Sequence, residues 1–235
     1  MTASQTADLF MLARKNASTV AWQDIVPASR ADAFAIQDAT IALFGVGGGW
    51  KVGSKGPGFE PGCAPLPAAC LLESGVTLTG PAWRLRGVEL EVALRVGRDL
   101  DPQGRLLPPE ELAAAFDAVL PVIEVVESRL DDRQGSDPLA QLADLQNHGA
   151  LVLGTPSAFL PADVDLRSIE ACLSFDGEVV ATTRGGNPAE DLWPMLAWLA
   201  LHCEQRGQPL RKGQIVTTGS CTGMLVAPAG TLVQG

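Results

Sequence analysis

Between residues 88 and 96 the chain alternates with a period of two. Val88, Leu90, Val92 and Leu94 are interleaved with Glu89, Glu91, Ala93 and Arg95. This is the pattern of a strand with one buried face. Side chains at i and i+2 of a strand point the same way, so Glu89 and Glu91 project together. Carboxylates that close repel, and either water or a cation between them relieves the repulsion. Taken alone, the pattern also suits the solvated face of an amphipathic strand.

A third acid narrows the choice. Glu124 sits in Pro121-Val122-Ile123-Glu124-Val125-Val126, where every neighbour is apolar and a lone charge would be costly unless paired or coordinated. Three carboxylates with open positions for water and substrate describe a catalytic magnesium site. Lys51, between Trp50 and Val52, is the other candidate: desolvation beside a cation could depress its pKa enough for proton transfer, although taken by itself it reads as a surface lysine. Only His148 and His202 are present, so a three-histidine zinc site is excluded and any metal must be held by oxygen. His202 falls on a predicted amphipathic helix, which points to a structural role.

The rest of the chain reads as α+β. Helices are expected over 6–15 and 28–44, the second broken by Gly45-Val46-Gly47-Gly48-Gly49. Trp50–Gly53 reads as a short strand, and 55–69 as an extended Gly/Pro loop. A helix is expected from Pro108 to about Val119, stopped by Pro121, with a strand from Val122 to Glu127. Residues 131–146 read as a loop with a helical turn, and 150–153 as a buried strand. A hairpin turns at Asp176-Gly177 between strands 169–175 and 178–183. A helix follows over 194–206, then a strand over 215–218. The expected organisation is an N-terminal helical region, 1–45, followed by one compact unit, 46–235.

Composition removes several classes of function. Seventeen Lys+Arg against 27 Asp+Glu give a net charge of −10, which disfavours nucleic acid and anionic membranes as partners. No apolar run approaches the roughly 18 residues of a membrane span. The first 20 residues, with Asp8 and no long apolar block, predict no signal peptide. Five widely spaced cysteines suit packing residues in a reducing compartment, and the expected localisation is cytoplasmic. Gly45 to Lys55 is no phosphate loop, because Trp50 and Val52 occupy positions that need Gly and Ser or Thr.

Several short segments, in order, resemble the fumarylacetoacetate hydrolase superfamily, in its 2-keto-4-pentenoate hydratase and 4-oxalocrotonate decarboxylase branch. They are Gly49–Gly53, Val88–Ala93, Pro121–Arg129, Leu142–Asp144 with Gly149–Gly154, Gly186–Pro188, Ala197–Ala200, and Pro209–Gly213 leading into Thr218–Ser220. The resemblance implies a mixed β-roll or sandwich with outer helices. It also implies one divalent cation, Mg2+ or Mn2+, on Glu89, Glu91 and Glu124, with Lys51 beside it moving protons and Ser220 contacting the substrate carboxylate. The implied activity is hydration of a short 2-hydroxydienoate or 2-oxo acid such as 2-keto-4-pentenoate, in aromatic-compound catabolism. Alternatives are decarboxylation of a 4-oxalocrotonate-like acid, acylpyruvate hydrolysis, or an inert metabolite-binding relative. A homo-oligomer is expected, with pairing to a decarboxylase or hydratase subunit as a further expectation. The aspartate usual after the Lys-Val-Gly segment is missing, and Glu60 is the nearest acid.

Overall fold

The computed structural model describes residues 1–235. Two helices come first. In α1 (Ala3–Asn16), Thr2 and Gln5 form a reciprocal capping box. In α2 (Arg30–Phe44), the Ser29 hydroxyl accepts from the Asp32 N–H, and Gly45 at φ 92° ends the helix. Phe10, Ile25, Phe34 and Ile36 from this region belong to the same 39-residue core cluster as the strands that follow.

The main sheet contains β1 (Gly47–Gly53), β2 (Gly62–Pro67), β3 (Leu71–Glu73), β4 (Gly87–Val96), β5 (Phe116–Val126) and β6 (His148–Leu153). Joining them are β9 (Ile215–Ser220) and the two-residue β10 (Leu225–Val226). Its order is β2-β1-β9-β4-β5-β6-β3, with β10 pairing the start of β4. The β1–β9 and β3–β6 pairs are parallel and the others antiparallel, so the sheet is mixed. A second sheet, ordered β11-β7-β8, is made of β7 (Glu170–Phe175), β8 (Glu178–Arg184) and β11 (Val233–Gln234). Buried Leu173 and Ala171 of β7 share the large core with Val88, Leu90 and Val92 of β4. Helices α3 (Pro109–Ala113), α4 (Pro138–Ala143) and α5 (Leu192–Gln205) complete the fold. No helix is long and apolar enough to cross a membrane.

Two segments depart from the sequence expectation. The helix opened by Pro108 stops at Ala113, and β5 runs from Phe116 straight through Pro121. Tertiary pairing overrides local preference here, because Phe116–Leu120 completes the ladder along the C-terminal half of β4. Pro121 is tolerated because its backbone polar side faces the end of β6, where its carbonyl accepts from Gly154, so β4 loses no ladder bond. In the expected loop 55–69, residues 62–67 form β2, residues 68–69 enter a short 3-10 turn, and only 55–61 remain irregular.

Strand β1 begins at Gly47 rather than Trp50, and the reason is space. A Cβ at Gly49 would lie 1.9 Å from the Ile215 carbonyl oxygen, so only glycine allows β1 to close on β9. The 176–177 turn is left-handed at both positions, φ 51° and 84°, as Asp-Gly predicts.

Candidate metal centre

Glu89 and Glu91 leave the same face of β4, and Glu124 stands directly opposite Glu89 on β5. One oxygen from each of the three lies within 4.8 Å of the others. Lys51 arrives from β1, two strands beyond β4, and the curl of the sheet brings its Nζ to 2.5 and 2.7 Å from the two Glu124 oxygens. The structure thus gathers Lys51, Glu89, Glu91 and Glu124 in one place. Glu91 and Glu124 are buried, whereas Glu89 is partly exposed and marks the open side.

Each carboxylate is held differently. Glu91 Oε2 accepts from the Thr217 hydroxyl and from the Gly219 N–H at 3.1 Å. A bulge makes this possible. Glu91 pairs with Ser220 but Ala93 with Thr217, so β9 carries one extra residue, and Gly219 adopts φ 93°. Ser220 therefore lies directly across from Glu91, with its Oγ buried and unpartnered. Asn187, from the Gly186-Asn187-Pro188 segment, donates to the Thr218 and Gly219 carbonyls at 2.9 Å and fixes the bulge from behind.

The electrostatics describe a cluster with excess negative charge. Burial, and then the charges of Glu124 and Glu89, push the Glu91 carboxyl up to about 8. Burial raises Glu89 as well. Glu124 goes the other way: burial alone would raise it, but the Lys51 ammonium and the His148 N–H together hold it low. Lys51 departs from the sequence expectation. Burial would depress its pKa, but the three carboxylates outweigh burial and hold it raised.

With all three carboxylates ionised, as metal binding requires, one ammonium leaves two negative charges in a largely desolvated site with hard oxygen donors only. That donor set fits a small, hard divalent cation, and one ammonium alone does not balance it.

Sequence reasoning gave His148 no role. Its ring is fully buried and its Nδ1 lies 3.0 Å from Glu124 Oε1. It leaves a turn in which Leu145, Gln146 and Asn147 all have positive φ, at 49°, 52° and 59°. The Gln146 carbonyl of that turn accepts from Lys51 at 3.3 Å. The one available signal was the histidine count of two. Glu60 is not part of the cluster: it is exposed and pairs with Arg30 at 3.4 Å. His202 stacks on Trp198 with centroids 4.6 Å apart, a packing role.

A cavity of about 600 Å3 is lined by Val88, Leu90, Ile123 and Val125, which point away from the carboxylates, and by the C-terminal residues. It contains no acidic residue. Its one arginine, Arg86, is committed to the carbonyls of Trp83, Arg84 and Ala227. Such walls offer little to a metal or a small anion, so the chemistry is placed at the carboxylates.

Comparison with known proteins gives consistent findings. The family profile described as fumarylacetoacetate (FAA) hydrolase C-terminal matches residues 55–235. The chain is 36% identical over 172 residues to 2-keto-4-pentenoate hydratase of Paraburkholderia phymatum, covering 71% of this chain and 58% of that protein. It is 31% identical over 147 residues to the enzyme of the same name from Paraburkholderia xenovorans, covering 63% and 53%. The matched region thus spans little more than half the length of these relatives. In three dimensions, 4-oxalocrotonate decarboxylase from Pseudomonas putida G7, complexed with magnesium and adipate, superposes with a TM-score of 0.84. That likeness covers 98% of this chain and 91% of the other at 22% identity, and it establishes the fold.

Proposed function

The chain belongs to the fumarylacetoacetate hydrolase C-terminal family, and from that membership and the site geometry we propose a divalent-metal-dependent lyase that hydrates a short 2-hydroxydienoate or 2-oxo acid. The observation that carries this reading is the convergence of Glu89, Glu91 and Glu124 within 4.8 Å beside the Lys51 ammonium. The hydratase names of relatives 31–36% identical point to the same substrate class.

In this reading Glu89, Glu91 and Glu124 hold Mg2+ or Mn2+. When bound, the ion supplies positive charge to stabilise the enolate that develops in such acids. The chain's own residues do the rest. Thr217 and the Gly219 N–H fix Glu91, and the bulge at Gly219 sets Ser220 Oγ free to hydrogen-bond the substrate carboxylate. Lys51 holds a proton at Nζ, shared between Glu124 and the Gln146 carbonyl, at the place where a proton must be given or taken. Assembly into a homo-oligomer is part of the proposal, and light scattering reads it directly.

The test is turnover. Protein stripped by chelator and returned to Mg2+ should consume 2-hydroxypenta-2,4-dienoate, seen as loss of diene absorbance. No metal-dependent turnover on a panel of short oxo acids would count against the assignment. Product analysis separates hydration from decarboxylation of a 4-oxalocrotonate-like acid, the name carried by the structural neighbour.

A further inference from the structure

Glu124 is gripped from two sides. From the cluster side Lys51 Nζ contacts both oxygens, and from the opposite, fully buried side His148 Nδ1 contacts Oε1. An ionised carboxylate only accepts, so Nδ1 carries the hydrogen and donates it. The other ring nitrogen, Nε2, is buried without a partner, which leaves Glu124 as the ring's one hydrogen-bond partner. A residue kept for packing alone would not need a nitrogen there.

The backbone that delivers His148 is held against its own preference. Three consecutive non-glycine residues in the left-handed region are costly, and such a run persists only where its surroundings over-determine it. Arg129 does this with one buried guanidinium. Its Nη1 donates to the His148 carbonyl at 2.6 Å, its Nη2 to the Asp144 carbonyl at 2.7 Å, and its Nε to the Asp144 carboxylate at 2.5 Å. The Glu127 N–H adds a bond to the Asn147 carbonyl at 2.9 Å. The turn is pinned at both ends, and its products are two: the Gln146 carbonyl on Lys51 and the His148 ring on Glu124.

We propose that His148 is a positioning residue for Glu124, which it fixes from the buried side so that the carboxylate stays aimed at the cluster when a cation and Lys51 share it. The inference rests on the metal-centre reading above. The Gln146 carbonyl complements it, because Lys51 keeps an acceptor at 3.3 Å when an oxygen of Glu124 is drawn elsewhere. Hydrogen-bond partners of metal ligands act in this way, and their loss typically weakens metal affinity by about 10–100-fold.

The experiment is Mn2+ titration of chelator-stripped protein, following free Mn2+ by electron paramagnetic resonance, with the melting temperature of the metal-free protein measured alongside. Two variants are compared. His148→Leu removes the donor, whereas His148→Asn keeps an N–H at nearly the position of Nδ1. The expected result is Mn2+ affinity weaker by about 10–100-fold for H148L and close to wild type for H148N, whatever the two melting temperatures. Wild-type affinity in H148L, or H148N as weak as H148L, overturns the inference and leaves the metal centre standing. Failure of the wild-type protein to take up Mn2+ at all overturns both.

Discussion

Lys51 Nζ lies 2.5 Å from Glu124 Oε1 although β1 and β5 are separated in the sheet by β9 and β4. Only a strongly curled sheet permits that reach, so the ion pair reports the roll as much as the site. It also couples the stability of the protein to the charge balance of the cluster.

Replacing Lys51 by Met should expose that coupling. The pair is buried, with side chains 14% and 0% exposed, so its loss leaves carboxylates without a counter-charge. Metal-free K51M should lose about 3–5 kcal/mol in urea denaturation. Added Mg2+ should raise its melting temperature more than it raises that of the wild type, because the ion restores the missing positive charge. Turnover should fall by about 10²–10⁴-fold even with metal present.

Glu91→Gln should do the reverse to stability. It removes one of three mutually repelling carboxylates, itself buried, while preserving shape, so metal-free protein should be as stable as wild type or more so. Mn2+ affinity should nevertheless drop at least tenfold, roughly, with the loss of an anionic ligand. Denaturation and titration run side by side should show stability kept or raised while affinity falls; a fall in both would contradict the account.

His202 gives a pH dependence away from the metal site. Burial first, then the Arg206 and Arg30 charges, lower its pKa from 6.5 to about 4, while Asp38 opposes them. Phe34 and Trp198 pack on the ring. Unfolded chains take up the proton near 6.5 and the folded protein only near 4. The contribution is therefore fully present above pH 6.5 and lost as pH falls towards 4. His202→Phe should lose less stability than wild type between pH 7 and 4.5, measured as the shift in urea midpoint.

Thiol labelling should distinguish one cysteine from four. Burial pushes Cys63 up to about 12 and Cys221 up to about 11, and also raises Cys70 and Cys203. Cys172 alone is exposed. Ellman's reagent at pH 8 should titrate one thiol in the native protein and five after denaturation. Two or more fast-reacting native thiols would contradict the packing role.

What the sequence made legible was strictly local. The alternation at 88–96 placed Glu89 and Glu91 on one face, and the apolar setting of Glu124 marked a charge needing a partner. Asp176-Gly177 announced its own turn. What remained hidden depended on pairing distant in the chain. Nothing within Phe116–Leu120 says that β4 will recruit it as a strand, and nothing around Lys51 says that a curled sheet will carry it across two strands to Glu124. His148 was invisible for the same reason. Its role comes from a left-handed turn that Arg129, some twenty residues earlier, holds in place.

The most direct test of the account is a crystal of the protein soaked in Mn2+ and examined by anomalous diffraction. The account predicts a single strong peak bounded by oxygens of Glu89, Glu91 and Glu124, at metal–oxygen distances of roughly 2.0–2.3 Å. A peak elsewhere, or none among those three carboxylates at saturating Mn2+, would contradict it.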